Sequence, residues 1–157
     1  MAHAVQASEQ RSGEGSGKIN KSNMAFWLIK SEPFVYSFQR LQEEGRVMWD
    51  GVRNYMARNH LRAMQTGDLV LFYHSREGLE VVGLCEVVRE YYPDPTATDG
   101  DWSVVDFAPV RALDKPVPLA LIKATPELQQ IGLVRMGRLS VMPLTDEAFN
   151  KILELSQ

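Results

Sequence analysis

Polar side chains follow directly on the first predicted strand of this chain. The stretch WLIKSEP, residues 27–33, begins with a run suited to a buried strand and then gives Lys30, Ser31 and Glu32 before a proline. Because proline cannot donate to a strand ladder, one interpretation is a strand followed by a turn whose polar groups face solvent. The alternative is that the strand end delivers these groups to a pocket.

Aromatic and polar residues recur at the ends of other predicted elements. Examples are Trp49 beside Asp50, Tyr73 beside His74, and Trp102. Any one tryptophan could simply fill the core, and arginines at helical spacing could form a solvated helix face. Together, however, aromatics beside basic and short polar side chains are what a base-stacking pocket with a phosphate-holding rim requires.

Enzymatic chemistry has weaker support in the sequence. There is no glycine-rich phosphate loop, no GxSxG motif and no histidine pair at metal-ligand spacing, so we predict neither a metal nor a cofactor. Cys85 stands in a predicted strand among valine and leucine, where a buried inert thiol is expected. A small enzyme acting on a nucleotide or RNA through His74, Asp106 and Cys85 is the alternative function. A protein-interaction surface on the helix that carries Arg58 and Arg62 is a third.

Composition indicates a single intracellular domain. The chain has 157 residues, one cysteine and a net charge of −3. A lone cysteine favours a reducing compartment, cytoplasmic or, in a eukaryote, nuclear. No apolar run approaches the roughly 18–20 residues that span a bilayer, so we predict no membrane contact. The acidic balance requires any nucleic-acid contact to be local, and we expect a monomer.

The first 23 residues differ in composition from the remainder. They are rich in serine, glycine, glutamine and asparagine and hold little that could pack. We predict a disordered tail or a start-site extension over residues 1–23 and one domain over residues 24–157.

Periodicity predicts five or six strands interrupted by short helices. Strands are expected over 27–30, 68–75, 79–89, 102–111 and 138–142, helices over 38–44, 54–65, 118–123 and after Thr145, and a loop over 92–101. Gly83 within a strand predicts a bend or a close approach. Without regular βα alternation, the pattern indicates an α+β fold: a curved sheet or small barrel with helices packed outside.

Four sequence motifs resemble those of a known family. WLIKSEP, WDGVRNYMARNHLRAM, LFYHS and WSVVDF, in this order, resemble the EVE domain, including the thymocyte nuclear protein family. The resemblance implies a PUA-like fold, a curved pseudo-β-barrel with outer helices. It also implies noncatalytic binding of nucleic acid carrying a modified base. EVE domains are discussed as readers of modified cytosines in DNA and are similar to YTH domains, which bind N6-methyladenosine in RNA.

The YTH sequence pattern can be aligned with this chain residue by residue. It implies a base-edge contact at Glu32 after the Lys30–Ser31 pair, a cage wall at Trp49, and a following helix from Asn54. The chain departs from that pattern by having Glu32 where asparagine or aspartate is common, and a second cage tryptophan has no identifiable position. A carboxylate only accepts hydrogen bonds and the cytosine amino group only donates them, which favours a modified cytosine. The alternative is that Glu32 pairs with a nearby arginine.

The residues and the resemblance together give a predicted site. Base contacts are expected from Lys30, Ser31, Glu32, Trp49, Asp50, Asn54, Tyr73, His74, Ser75, Trp102 and Asp106, and phosphate contacts from Arg53, Arg58 and Arg138.

Overall fold

The computed structural model describes residues 24–157, and the predicted tail lies outside them. The strands of this part of the chain are β1 Phe26–Ser31, β2 Val47–Met48, β3 Leu69–His74, β4 Glu80–Pro93, β5 Ser103–Pro118 and β6 Val141–Leu144. The α-helices are α1 Phe38–Glu44, α2 Tyr55–Ala63, α3 Leu119–Ala124, α4 Gly132–Arg135 and α5 Asp146–Leu155, with a 3-10 turn at Pro126–Leu128. No helix within residues 24–157 is long and apolar enough to cross a membrane.

The six strands form one mixed sheet in the order β2-β5-β4-β3-β1-β6. Strand β1 pairs in parallel with β3, and the other neighbouring strands are antiparallel. The α+β class and the strand number are confirmed. The sheet is open, since β2 and β6 are its two edges, and it does not close into a barrel. Repeated register shifts between β4 and β5 bend the sheet.

Strands β4 and β5 are longer than predicted. They form a hairpin whose paired residues run from Glu80 opposite Pro118 to Pro93 opposite Ser103. The predicted loop over 92–101 therefore begins only after Pro93. The last strand was also misplaced, since it starts at Val141 rather than at Arg138. Cross-strand pairing overrides the local turn signal of Pro93 in the first case, and in the second the strand begins where Val141 pairs with Ile29 of β1.

Local signals in the sequence set the helix ends that surround the site. The Ser37 side chain accepts from the Arg40 N–H at the start of α1, and Gly45 ends that helix at φ 79°. The ring of Phe38 then packs directly on Gly83, where a β-carbon would overlap it. The close approach predicted at Gly83 is confirmed, and it fixes α1 against the sheet.

Candidate nucleic-acid interface

A cleft of about 770 Å³ opens where β1 ends beside β2 and the loop that follows it. We call it the base cleft. Its lining includes Lys30, Ser31, Glu32, Val35, Tyr36, Arg40, Glu44, Arg46, Val47, Met48, Trp49, Asp50, Gly51, Val52, Arg53 and Ser140. Five predicted base-contact residues, Lys30, Ser31, Glu32, Trp49 and Asp50, therefore share one cleft with Arg53.

The end of β1 is both a turn and a wall of the base cleft. The Glu32 carbonyl accepts from the N–H groups of Val35 and Tyr36, each at 2.9 Å, which turns the chain. The Ser31 hydroxyl donates to the Tyr36 carbonyl at 2.5 Å. The Lys30 ammonium donates to the Gly137 carbonyl at 2.6 Å, and burial lowers the pKa of Lys30. The stretch is a strand followed by a turn, but Lys30 and Ser31 are bonded within the fold and line the cleft instead of facing solvent alone.

The Glu32 carboxylate pairs with an arginine from the β3–β4 loop. Arg76 Nε lies 3.4 Å from Glu32 Oε2, and both side chains are exposed, by 73% and 37%. Exposed pairs of this kind contribute little to stability. A carboxylate has about four acceptor positions, so Glu32 keeps acceptor capacity toward the base cleft.

Trp49 joins the core to the base cleft. Its ring is half-buried and packs edge-on against Phe72 and Phe107, at centroid distances of 5.6 and 5.8 Å. A third edge contact, at 6.0 Å and 84°, is to Tyr36. Trp49 and Tyr36 thus form a right-angled aromatic corner of the base cleft.

Tyr36 is a functional candidate that the sequence analysis missed. Its hydroxyl donates to Glu44 at 2.8 Å, and the Arg40 guanidinium lies 4.9 Å from its ring centroid. Burial, and then the hydrogen bond to Glu44, raise the pKa of Tyr36. Its position four residues after Glu32, directly before a helix cap, is the signal that could have identified it.

Asp94, also missed, holds the loop that carries Trp49. One carboxylate oxygen accepts from the Gly51 N–H at 3.0 Å and from Arg53 Nη1 at 2.9 Å. The other accepts from the N–H and hydroxyl of Thr96, at 2.8 and 2.6 Å. Burial alone would raise the pKa of Asp94, but the hydrogen bonds from Thr96, Gly51 and Arg53 outweigh it and lower the pKa to about 2.

Trp102 lies outside the lining of the base cleft, in a second aromatic pair. Its ring stacks on Tyr55 at 5.0 Å with an interplanar angle of 18°. We call this pair the aromatic platform. Arg58 donates to the Asp101 carbonyl at 3.1 Å beside it, and Arg53 lies 5.6 Å from the Trp102 ring centroid.

Tyr73, Ser75 and Arg138 line a second cleft of about 650 Å³, which we call the side channel. It shares Lys30, Glu32 and Ser140 with the base cleft, so the two are continuous. Besides Lys30, three cationic side chains line it, namely Arg76, Lys123 and Arg138.

The remaining predicted base-contact residues make bonds within the fold. The Asn54 side chain caps α2 by accepting from Ala57 N–H at 2.9 Å. His74 Nε2 accepts from the Phe38 N–H at 3.2 Å, and burial lowers the pKa of His74. Asp106 accepts from Arg46 at 2.9 Å and, at 2.6 Å, from the hydroxyl of Tyr92.

The structure separates the groups of the alternative enzyme. Cys85 is fully buried, its thiol donates to the Val70 carbonyl at 3.4 Å, and burial raises its pKa. Cys85 pairs with Val70, four residues from His74 along β3, which is about 13 Å at the usual rise. Within residues 24–157, no cluster of three His, Cys, Asp or Glu side chains could hold a metal ion.

We expect Asp94→Asn to lower the free energy of unfolding by about 2–3 kcal/mol at pH 7, because an amide leaves two of the four donors without an acceptor. The folded pKa of about 2 lies below the usual value near 3.9, so the carboxylate stabilises the fold above pH 4 and loses this effect as pH falls toward 2.

Urea unfolding of both proteins between pH 7 and pH 2 measures this, with exposed Asp99→Asn as the control. The difference between wild type and Asp94→Asn should shrink below about pH 5. A difference that stays constant with pH would contradict the assignment.

Comparison with known proteins identifies the family. Residues 25–155 match the sequence model of the EVE domain. Thymocyte nuclear protein 1 of Mus musculus is 36% identical over 176 aligned positions, covering 90% of this chain and 77% of that protein. The structure of human THYN1 protein in complex with 5-methylcytosine containing DNA is 34% identical, with a TM-score of 0.79, covering 85% of this chain and 98% of that chain.

The likeness to a YTH domain concerns the fold alone. The YTH domain of Zygosaccharomyces rouxii MRB1, solved with N6-methyladenosine RNA, is 17% identical, with a TM-score of 0.54 and coverage of 86% and 88%. The resemblance of WLIKSEP and the three other motifs to the EVE domain is confirmed by the match over residues 25–155. The chain belongs to the EVE domain family.

Proposed function

We propose that residues 24–157 form a noncatalytic nucleic-acid-binding domain that holds one modified base, a modified cytosine in DNA, in the base cleft. The observation that carries the proposal is the right-angled corner of Trp49 and Tyr36 next to the acceptor Glu32. The similar human THYN1 was solved with DNA containing 5-methylcytosine, which supports the same ligand class here.

The chemistry of the base cleft suits cytosine. The ring stacks on an aromatic face, and the exocyclic amino group donates to the Glu32 carboxylate. A carboxylate repels the O4 acceptor of thymine or uracil at that position. Val35, Val47 and Met48 add apolar surface to the lining, which can accommodate a methyl group at C5. Glu32 and the aromatic corner would therefore select both the base and its modification.

A paired base must leave the helix to enter this cleft, at a cost of a few kcal/mol. The side channel continues from the base cleft and carries Arg76, Lys123 and Arg138. We propose that these cations hold the phosphates on one side of the extruded nucleotide. Arg53, whose Nη1 is bonded to Val52 and Asp94, reaches those at the other rim through its other guanidinium nitrogens. With a net charge of −3, such local contacts are how this chain approaches a polyanion.

A single buried cysteine and the relationship to a thymocyte nuclear protein support a reducing compartment, either nucleus or cytoplasm. A single nucleotide occupies a cleft built from one chain, so we propose that the monomer binds.

We expect Trp49→Leu to weaken binding of a methylated strand about 5- to 100-fold, because the stacking face is lost. Leucine is preferable to alanine because Trp49 also packs on Phe72 and Phe107. Titrating oligonucleotides with and without 5-methylcytosine measures the effect, and the plain strand should change much less. Unchanged binding of both strands by a folded variant would place the base elsewhere.

Glu32→Gln should reduce affinity less than Trp49→Leu does, but it should weaken the preference for cytosine over thymine. A glutamine amide can donate as well as accept, so it can satisfy the O4 of thymine that a carboxylate repels. Competition between oligonucleotides that differ only at the central base measures this, with Glu43→Gln on the exposed face of α1 as the control. Retention of wild-type discrimination would show that Glu32 only pairs with Arg76.

Arg138→Ala should weaken methylated and plain DNA alike and reduce the slope of log K against log salt by about 0.9, the value for one phosphate contact. Exposed Arg111→Ala, which removes the same charge outside both clefts, should leave the slope unchanged. A loss confined to the methylated strand would put Arg138 at the base instead of at a phosphate.

A further inference from the structure

We propose that the aromatic platform is a second stacking subsite, which takes the nucleobase adjacent to the one in the base cleft. The inference rests on the proposed function. It assigns a role to Tyr55 and changes that of Trp102 from lining the pocket to supporting a neighbouring base.

Tyr55 is both exposed and fixed. The residue is 66% exposed, although one ring face stacks on Trp102. It is the first residue of α2, and the Asn54 cap orders the helix start that carries it. A ring held in one orientation at the surface loses little conformational entropy when a base stacks on it.

The outer face of Tyr55 is open. The Arg58 guanidinium carbon lies 5.0 Å from the Tyr55 ring centroid and 5.9 Å from that of Trp102. The two centroids are themselves 5.0 Å apart, so a cation covering the outer face would be about twice as far from Trp102 as from Tyr55. Arg58 therefore lies beside the pair, and the face turned away from Trp102 remains available.

The arginines beside Asp101 are held by neighbouring groups. Arg58 donates to the Asn59 side chain at 3.0 and 3.1 Å and to the Asp101 carbonyl at 3.1 Å. Arg62 donates to the Asp101 carboxylate at 2.7 Å. Because these cations are engaged, the platform offers stacking supported by cation–π contact more than phosphate binding.

The aromatic platform lies next to the base cleft. Arg53 lines the base cleft and also lies 5.6 Å from the Trp102 ring centroid. Tyr55 follows Arg53 by two residues, which limits the separation of their α-carbons to about 7 Å. Neighbouring bases in B-form DNA rise about 3.4 Å, and an unstacked strand extends further. This spacing is within the reach of consecutive nucleotides, so the occupant that fits is a nucleotide of the same strand.

The test uses single-stranded DNA with one central 5-methylcytosine, and two copies in which the 5′ or the 3′ neighbour is abasic. Fluorescence anisotropy compares wild type, Tyr55→Leu and Tyr55→Phe. We expect Tyr55→Leu to weaken binding of the intact strand about five- to tenfold, toward the low end for an exposed ring. Tyr55→Phe, which keeps the ring, should bind like wild type.

One abasic neighbour should remove the difference between Tyr55→Leu and wild type, because no base remains to stack. The wild-type protein should bind that strand about five- to tenfold more weakly than a strand whose abasic position is distant from the 5-methylcytosine. This comparison does not depend on the folding of any variant. Equal binding of those two strands would overturn the subsite. So would a Tyr55→Leu loss that persists at both abasic neighbours, since Tyr55 would then act through the fold.

Trp49→Leu separates this inference from the proposed function. If Trp49→Leu abolishes the preference for the methylated strand while Tyr55→Leu changes nothing, the base cleft stands and the platform is rejected. If wild type binds methylated and plain strands equally, the proposed function fails and the platform, as a subsite of it, fails with it.

Discussion

The buried carboxylate of Asp94 organises the part of the surface that carries the proposed recognition site. It accepts four hydrogen bonds, two of them from the loop that carries Trp49. Its own N–H donates to the Trp102 carbonyl at 2.9 Å, so the same residue also fixes the aromatic platform. Loops lack the repeating backbone bonds of helices and strands, and a buried charge shared among several donors replaces them. Asp94 thus contacts both aromatic sites, through its side chain at the loop of Trp49 and through its backbone at Trp102.

The electrostatics of the surface favour selectivity over affinity. Arginines around the two sites are paired with acids: Arg53 with Asp94, Arg62 with Asp101, and Arg46 with Asp106. The pairs fix Arg53 beside Trp102 and Arg62 beside Tyr91, and all three reduce the free positive charge available to phosphates. Phosphate contacts bind all sequences alike, whereas stacking and base-edge contacts distinguish them. On the proposed function, a surface whose arginines are paired in this way takes a larger share of its binding energy from the base itself.

The sequence predicted what depends on local chemistry and missed what depends on distant contacts. The cap at Ser37 and the close approach at Gly83 follow from residue type and neighbours alone. The sequence places Asp94 in a loop but gives no sign of its bond to Gly51, because that bond spans 43 residues. His74 stands at a strand end like the residues of the base cleft, yet it accepts a backbone N–H of α1. Residue type at an element end indicates a polar contact but does not tell which face or which partner.

The position of Glu32 gives a physical reason for the polar residues that end β1. Glu32 lies at the junction of the base cleft and the side channel, and there it meets Arg76, a non-glycine residue at φ 71°. That backbone conformation is unfavourable, and the exposed ion pair contributes at most about 1 kcal/mol, so the pair does not itself explain the arrangement. A weak pair is easily exchanged. On the proposed function, an amino group that donates to Glu32 would replace Arg76 at small cost and leave the guanidinium free to turn to a phosphate, which would couple recognition of the base to attachment of its backbone.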